Sequence, residues 1–368
     1  MQVPFVDLNR QFKPLLPAIN TAFSNIIQQC TFINGPEVNM FEKELAAWLG
    51  LEHVCGVSNG TQALYLTLKS LGIGPGDEVI TVVNTAFPSS EAISMTGAEV
   101  VFVDIAPEGF NLDPKAVARA ITPRTRALMP VHLYGIPAEM DTLLKIGREH
   151  DIPVIEDTAQ ACGARYRGKK VGTLGRAGCF SFFPSKNLGT FGDGGAVASK
   201  DCKLVDRVRM YANHGRHDKF THEAIGTNSR LDTLKAAQLS ICLKALDEWN
   251  RDRRRAAALY EEYLAPYGEI TRPVVPEGCE PIWHLYVIRH CRRNDLRRYL
   301  QGKGISTGLH YPTPLHLQPA YKHLKLGPGD FPRAEAATRE VLSLPMFPYI
   351  TESEIEAVAK AIGESLGK

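Results

Sequence analysis

The sequence has no long hydrophobic run and no excess of charge of one sign. No stretch of about 18 consecutive apolar residues occurs, so we expect no membrane span. The 42 basic residues nearly balance the 40 acidic ones, which gives a formal net charge of +2. This balance offers no reason to expect a nucleic-acid or membrane partner. We also expect no signal peptide, because the first residues lack a basic region followed by an apolar core.

The sequence also lacks any C-x-x-C pair among its eight cysteines. Structural zinc sites and disulfide frameworks usually show close, regular cysteine spacing. We therefore expect free thiols, no metal site and a reducing, cytoplasmic location.

What the sequence does contain is an alternation of β-rich runs and helical stretches. The predicted strands span residues 53–57, 78–83, 99–104, 126–131 and 152–155. Such alternation is typical of an α/β protein with a mostly parallel sheet. After about residue 230 the pattern changes to a long helical stretch, later helices and one clear strand at Trp283–Ile288. We predict a large α/β domain over residues 1–250 and a smaller α+β domain over residues 251–368.

A run of small and polar residues follows the first predicted strand and reads Ser58-Asn59-Gly60-Thr61-Gln62. The N–H groups at the start of a helix form a natural seat for a phosphate. Ordinary N-capping by Ser58 or Asn59 explains the same residues. The run is thus a candidate phosphate site, with capping as the alternative.

Two acidic residues, Glu156 and Asp157, follow the last strand of the alternation. Carboxylates are rarely buried without a partner. An ionised Asp157 can pair with a cationic ring nitrogen, and Gln160 can face the same site from a helical turn. Helix capping by the acidic residues is the alternative.

A single lysine, Lys186, follows an apolar aromatic run and precedes four glycines at positions 189, 192, 194 and 195. Glycine allows the backbone to approach a ligand closely. Burial disfavours the charged form of a lysine, which suits it to Schiff-base chemistry. A lysine, a strand-end carboxylate and a phosphate seat are together what pyridoxal 5'-phosphate (PLP) requires, although a solvated turn lysine is the alternative for Lys186 alone.

These motifs give the chain a resemblance to the sugar aminotransferases of the DegT/DnrJ/EryC1/StrS family, and it extends over essentially the whole chain. The motifs that carry it are Ser58-Asn59-Gly60-Thr61-Gln62-Ala63-Leu64, Glu156-Asp157-Thr158-Ala159-Gln160-Ala161, Phe180-Ser181-Phe182-Phe183-Pro184-Ser185-Lys186-Asn187-Leu188-Gly189, Gly192-Asp193-Gly194-Gly195-Ala196, Asn213-His214-Gly215, Asn228-x-Arg230-Leu231-Asp232 and His310-Tyr311-Pro312. The resemblance implies the fold-type I, aspartate aminotransferase-like fold with a seven-stranded sheet.

The resemblance also implies roles for the central residues. Lys186 would bind the cofactor aldehyde as a Schiff base and later move a proton between carbon atoms. Asp157 would pair with the pyridine nitrogen, and Gln160 would contact the ring hydroxyl.

Further roles follow from the same resemblance. The cofactor phosphate would be bound by Gly60, Thr61 and Ser181. Asn228 would reach that phosphate from the other subunit, so a homodimer with shared active sites is expected.

Two positions concern the substrate and the cofactor ring. His310 and Tyr311 would lie near the substrate. Many relatives stack an aromatic side chain on the ring where this chain has Ala86, and Phe87 follows one residue later. Either Phe87 takes over this role or the stacking is absent, and we take Phe87 as the candidate stacking residue.

The function implied is PLP-dependent transfer of an amino group from L-glutamate to a nucleotide-linked keto-sugar by a ping-pong mechanism. The block around Lys186 is more similar to relatives acting at C3 of the sugar than at C4. Alternatives of the same fold are a keto-inositol aminotransferase and a PLP-dependent sugar dehydratase, although the presence of Lys186 favours transamination. A non-catalytic regulatory protein is the alternative from another class.

Overall fold

The structure is a computed structural model that describes residues 2–368. Its α-helices are α1 (Leu8–Phe12), α2 (Leu16–Gln29), α3 (Pro36–Leu49), α4 (Gly60–Ser70), α5 (Phe87–Met95), α6 (Pro114–Ala120), α7 (Met140–Glu149), α8 (Cys202–Ala212), α9 (Thr233–Leu264), α10 (Arg293–Gly302), α11 (Pro332–Glu340) and α12 (Glu352–Ser365). Its strands are β1 (His53–Val57), β2 (Glu78–Val82), β3 (Glu99–Val103), β4 (Thr125–Met129), β5 (Ile155–Asp157), β6 (Arg165–Tyr166), β7 (Lys169–Lys170), β8 (Ala177–Ser181), β9 (Gly195–Ser199), β10 (Cys279–Glu280), β11 (Tyr286–Arg289) and β12 (Val341–Leu344).

The central sheet consists of two ladders that meet at β4 and β5. One ladder has the order β3-β2-β4 and the other has the order β5-β8-β9-β1. Parallel bridges from Leu128 to Val154 and from Val131 to Asp157 join them. The combined order is β3-β2-β4-β5-β8-β9-β1, and β9 alone runs antiparallel to its neighbours. The predicted mostly parallel, seven-stranded α/β sheet is confirmed.

The sequence explains why these strands are central. β2 is rich in the β-branched residues Val, Ile and Thr and is buried along its whole length. Such residues pack well on a pleated surface covered by helices on both faces. The carboxyl ends of β2, β4, β5 and β8 therefore meet at one edge of the sheet, where ligands of open parallel sheets bind.

The long helix α9 contributes to two hydrophobic clusters. Before residue 250, Leu246 and Trp249 pack with side chains of α3 and of the sheet. In its second half, Tyr260 and Leu264 pack with β11, β12 and α12. The predicted domain boundary between residues 250 and 251 lies between the parts of α9 that belong to the two clusters. The division into two domains remains a prediction.

The predicted strands 78–83, 99–104 and 126–131 differ from β2, β3 and β4 by only one or two residues at their ends, whereas two other predicted strands differ more. β5 begins at Ile155 and includes both acidic residues, whereas the prediction of 152–155 placed them after the strand. Pro153 has no N–H group to donate, and the pairing with β8 starts only at Ile155. The strand predicted at Trp283–Ile288 begins at Tyr286, because Trp283 has a positive φ of 48° that extended backbone cannot adopt.

Within residues 2–368, the helices are all too short or too polar to cross a membrane. The cysteines of this range are all free thiols. No group of three or more His, Cys, Asp or Glu side chains in the same range is arranged to hold a metal ion.

Candidate active site

A cavity of about 590 Å³ lies at the carboxyl edge of the central sheet. Its walls come from the ends of β5 and β8, the loop that follows β8, and the first turns of α4 and α5. Six of the residues predicted from the sequence line it, namely Gly60, Thr61, Asp157, Gln160, Ser181 and Lys186. The fold therefore brings together residues that are up to 126 positions apart in the chain, from Gly60 to Lys186.

One end of the cavity is the start of α4. Asn59 caps this helix, and its Oδ1 accepts a hydrogen bond from the N–H of Gln62 at 2.8 Å. The preceding N–H groups of Gly60 and Thr61 have no acceptor within the helix, because the first turn of any helix leaves its donors free. A Cβ atom at Gly60 would lie 2.7 Å from the Cβ of Ser181. Capping and anion binding are thus compatible here, since they use different N–H groups.

Asp157 provides the buried carboxylate of the cavity and is 4% exposed. Its Oδ2 accepts a hydrogen bond from the hydroxyl of Ser89 at 2.7 Å, and its Oδ1 accepts one from the N–H of Ala159 at 3.1 Å. Burial raises the pKa of Asp157, and these two hydrogen bonds oppose that rise. Within residues 2–368, no Lys, Arg or His side chain forms an ion pair with this carboxylate.

Glu156, the other acidic residue of the pair, has a structural role. Its oxygens accept hydrogen bonds from the N–H groups of Gly172, Leu174 and Gly175 at 2.7–2.8 Å. They also contact Nε2 of His132 at 3.0 Å. Nδ1 of His132 accepts a hydrogen bond from the N–H of Ala138, so the ring proton is on Nε2. The Nε2–H group therefore donates the hydrogen bond to Glu156. Glu156 therefore ties the loop after β7 to β5 and takes no part in the cavity.

Lys186 lies in the loop after β8, and its side chain reaches the cavity. Its N–H donates to the carbonyl oxygen of Phe183 at 2.8 Å, which closes a tight turn. Desolvation by burial lowers the pKa of the Lys186 amine to about 8, although the nearby Asp157 carboxylate opposes this shift. An amine with this pKa is neutral in roughly a tenth to a fifth of molecules near physiological pH, far more than an ordinary lysine, and it is the neutral form that acts as a nucleophile.

Gln160 lies in a turn, not in the helical turn predicted for it. Its Oε1 accepts a hydrogen bond from the N–H of Tyr134 at 2.7 Å, and its Nε2 donates to the hydroxyl of Tyr311 at 3.1 Å. The amide is therefore held in one orientation at the cavity wall. The loop that contains Tyr311 is also linked to Tyr134, whose hydroxyl donates to the carbonyl oxygen of His310.

His310 lies beside the cavity, in contact with Phe5 and Ser343. Its ring stacks on Phe5 at 5.7 Å between centroids, and its Nδ1 lies 2.8 Å from the hydroxyl of Ser343. Burial lowers the pKa of His310 to about 4, and the charge of Lys186 adds to this effect. The imidazole is therefore neutral at physiological pH.

Four predicted residues do not line the cavity, namely His310 and Tyr311, whose surroundings are described above, and Phe87 and Asn228. Phe87 is exposed, and its ring packs against Tyr321 at 5.6 Å between centroids. Ala86 lines the cavity, and the assignment of Phe87 to the stacking position stays a prediction. Asn228 is exposed and lies outside the cavity, in a bridge with Asn213.

The residues of the cavity fit PLP. Asp157 is a buried carboxylate with only neutral hydrogen-bond donors, so a protonated ring nitrogen would supply the missing positive charge. The approach of Gly60 to Ser181 leaves a cradle at the helix start that a Cβ atom would fill. Lys186 supplies a readily deprotonated amine at the same cavity. An anion seat, a ring-nitrogen partner and a lysine are all present.

Sequence reasoning missed Ser89 and Tyr134. Ser89 lies in the first turn of α5 and reaches Asp157, which is 68 positions away. Tyr134 orients Gln160 through its backbone N–H. No local spacing in the sequence links either residue to its partner, because both contacts depend on how the strands are ordered in the sheet.

The fold and the cavity define a lysine-dependent enzyme with a site for a phosphorylated, ring-nitrogen cofactor. The chain belongs to the DegT/DnrJ/EryC1/StrS aminotransferase family, whose sequence profile matches residues 16–363. The resemblance inferred from the motifs is confirmed, and so is the assignment as an aminotransferase with PLP as its cofactor.

Comparison with individual proteins gives the same result. The chain is 46% identical to a Streptomyces venezuelae protein named dTDP-3-amino-3,4,6-trideoxy-alpha-D-glucose transaminase, over 99% of this chain and 96% of the relative. It is 42% identical to a Geobacillus stearothermophilus protein named pleiotropic regulatory protein, over 99% and 98% of the two chains. Among solved structures, S. venezuelae DesV in complex with a ketimine intermediate superimposes with a TM-score of 0.97 at 46% identity, covering 99% of this chain and 98% of that one.

Proposed function

We propose that this protein transfers an amino group from L-glutamate to a nucleotide-linked keto-sugar, with C3 of the sugar as the favoured position. The observation that carries the proposal is the meeting of Lys186, Asp157 and the start of α4 at one cavity. The substrate class is inferred from the S. venezuelae relative, which is named a dTDP-3-amino-sugar transaminase.

PLP, when bound, supplies an aldehyde that reacts with amines and a ring that withdraws electrons from the adjacent carbon. Lys186 holds and moves the proton that the amino-group transfer requires, and its pKa of about 8 allows it both to accept and to release that proton near neutral pH. Asp157 would pair with the ring nitrogen of bound PLP and favour its protonated form, because a cation stabilises this buried carboxylate.

The remaining cavity residues bind and orient. The N–H groups of Gly60 and Thr61, with the hydroxyl of Ser181, are placed to receive a phosphate at the positive end of α4. Gln160 presents a fixed amide to the ring hydroxyl, because Tyr134 and Tyr311 hold both of its ends. The neutral His310 leaves the cavity without an added positive charge beside Lys186.

The family resemblance supports a homodimer in which Asn228 of one subunit reaches the cofactor phosphate of the other. Asn228 is exposed and lies outside the cavity of its own chain, so it is free to contact another copy.

One relative is named a regulatory protein. A purely regulatory role does not account for a lysine whose pKa is lowered beside a buried carboxylate.

The first test is the visible absorption spectrum of the protein with PLP, recorded before and after L-glutamate. We expect a lysine-dependent absorption band that disappears when the donor is added, and Lys186→Ala should keep the fold but lose the band. Persistence of the band in Lys186→Ala, or unchanged turnover in that variant, would disprove the role of Lys186. A band that L-glutamate does not alter would contradict the donor.

The acceptor is tested with a panel of 3-keto and 4-keto sugars linked to dTDP or UDP, with scyllo-inosose as the cyclitol. We expect amination of a 3-keto nucleotide sugar. Turnover of the 4-keto sugars alone would contradict the C3 assignment, and turnover of scyllo-inosose alone would favour the cyclitol alternative.

A further inference from the structure

The lysine loop, residues 182–191, has no helix or strand of its own and is held from outside by α9. Gln238 of α9 accepts hydrogen bonds at Oε1 from the hydroxyl of Thr190 and the N–H of Phe191, both at 2.8 Å. Asn250 of α9 accepts at Oδ1 from Nδ2 of Asn187 at 2.8 Å. Asn187 is the residue next to Lys186, so this second anchor lies closest to the reactive amine.

Asn250 also binds the turn that follows Asp157. Its Nδ2 donates to the carbonyl oxygen of Cys162 at 3.1 Å. A single buried amide thus connects the loop that carries Lys186 with the turn that follows the carboxylate. Both Asn187 and Asn250 are 2% exposed, so water does not replace either hydrogen bond.

The surroundings of this amide leave it little freedom. A Cβ atom at Gly163 would lie 2.6 Å from Nδ2 of Asn250, and Gly163 adopts a positive φ of 104°. Nδ2 of Asn187 makes a second hydrogen bond, to the carbonyl oxygen of Ile282 at 3.1 Å. The amide pair is therefore fixed on several sides, as precise positioning of a neighbouring group requires.

We propose that Asn250 is a positioning residue that sets the distance between the Lys186 amine and the Asp157 carboxylate. It acts through Asn187 on one side and the carbonyl of Cys162 on the other, and it touches neither reactive group itself. The expected effect on catalysis, a lower kcat, rests on the proposed function. The placement of Lys186 can nevertheless be measured without any turnover.

The test uses Asn250→Ala and Asn250→Asp. In the full chain, before PLP is added, the pH dependence of Lys186 acetylation by acetic anhydride, read by peptide mass spectrometry, gives the pKa of the amine. The titratable groups that act on Lys186 are Asp157, His284 and His310, and none of them is altered.

For Asn250→Ala we expect the pKa of Lys186 to rise from about 8 by about one unit, because a loosened loop admits water to the amine. In the PLP-loaded enzyme we expect kcat to fall about tenfold or more, with less than about a twofold change in KM, since small displacements of reacting groups are costly. Asn250→Asp keeps the acceptor for Asn187 but loses the donor to the carbonyl of Cys162, so kcat should fall less than in Asn250→Ala. This variant is read by kcat and KM alone, because its added carboxylate would itself raise the pKa of Lys186.

Tyr260→Phe is the matched control. Its hydroxyl donates to the carbonyl oxygen of Pro345 at 2.8 Å, so this variant also loses one buried hydrogen bond of α9, but away from the lysine loop. We expect it to lower Tm while leaving the pKa of Lys186 and kcat unchanged. The inference is overturned if folded Asn250→Ala or Asn250→Asp behaves like Tyr260→Phe. A wild-type protein that does not transaminate would refute the proposed function and leave the acetylation result valid.

Discussion

Two adjacent carboxylates of β5 are satisfied in opposite ways, and this difference assigns their roles. Glu156 accepts hydrogen bonds from three backbone N–H groups and from Nε2 of His132, so both of its oxygens are satisfied by donors inside the protein. Asp157 receives one hydroxyl and one N–H, and burial raises its pKa. A buried carboxylate that is only partly compensated favours a cationic ligand.

Ser89→Ala tests this dependence on single hydrogen bonds. Losing the hydroxyl destabilises the Asp157 anion, so the pKa of Asp157 rises further. A hydrogen bond to a charged group contributes about 1.5–3 kcal/mol, which corresponds to roughly one to two pH units. The loss of PLP affinity on acidification should therefore begin about one unit higher in pH, as measured by cofactor titration between pH 5 and 9.

Ser90→Ala is the control for this prediction. The Ser90 hydroxyl donates to the carbonyl oxygen of Phe87 in the same helix turn and does not contact Asp157. Its pH profile should match that of the wild type. Identical profiles for Ser89→Ala and Ser90→Ala would show that the hydroxyl of Ser89 does not stabilise the carboxylate.

The start of α4 and the end of β8 form the phosphate seat because the two elements approach without an intervening side chain. Gly60→Ala would place a Cβ atom 2.7 Å from the Cβ of Ser181. Overpacking of this kind costs about 1–3 kcal/mol, so we expect PLP affinity to fall about tenfold. Inorganic phosphate should bind correspondingly weakly, as measured by calorimetry on the protein without PLP.

The double variant Gly60→Ala/Ser181→Gly separates crowding from other effects. It removes the Cβ atom of Ser181 that the new methyl group would meet, but also a hydroxyl of the seat. We expect PLP affinity to recover in part. No recovery, together with a normal affinity in Ser181→Gly alone, would mean that Gly60 is needed for a reason other than the space beside Ser181.

The elements were predictable from sequence where local patterns decide them. The alternation of β-branched runs and helices located β1 to β4. The start of β5 was misplaced, because it depends on pairing with β8. β9 was not recognised, since Gly-Ala-Val-Ala-Ser lacks the bulky residues that mark most strands.

The site was predictable to the extent that its residues lie in compact motifs. Lys186, Asp157 and the α4 start lie at strand ends, where an open parallel sheet collects ligand groups. Phe87 does not line the cavity, since its ring packs against Tyr321, and its assignment as the residue that stacks on the cofactor ring stays a prediction. The contacts of Ser89 and Asn250 arise only from tertiary packing, so no sequence pattern indicates them.

Several large apolar side chains are exposed on the surface of the single chain. The most exposed of the large ones are Ile27, Phe183, Phe220 and Ile225, at 51–88% of their full area. Phe183 also lines the active-site cavity. Exposed apolar surface near a functional site is typical of protein interfaces. This pattern supports the proposed homodimer, in which a second copy covers the rim of the cavity.

Mixing two inactive variants tests whether the active sites are shared between subunits. Lys186→Ala lacks the reactive amine, and Asn228→Ala lacks the side chain proposed to cross to the other subunit. In a heterodimer, one site combines the Lys186 of one subunit with the Asn228 of its partner. After exchange of subunits, half of the dimers are mixed and about a quarter of all sites are intact. We therefore expect activity to return toward about a quarter of wild type, measured as amino-sugar formation.

Mixing each variant with itself is the control. No recovery in the mixture, or full activity of Asn228→Ala alone, would place the complete site within one chain.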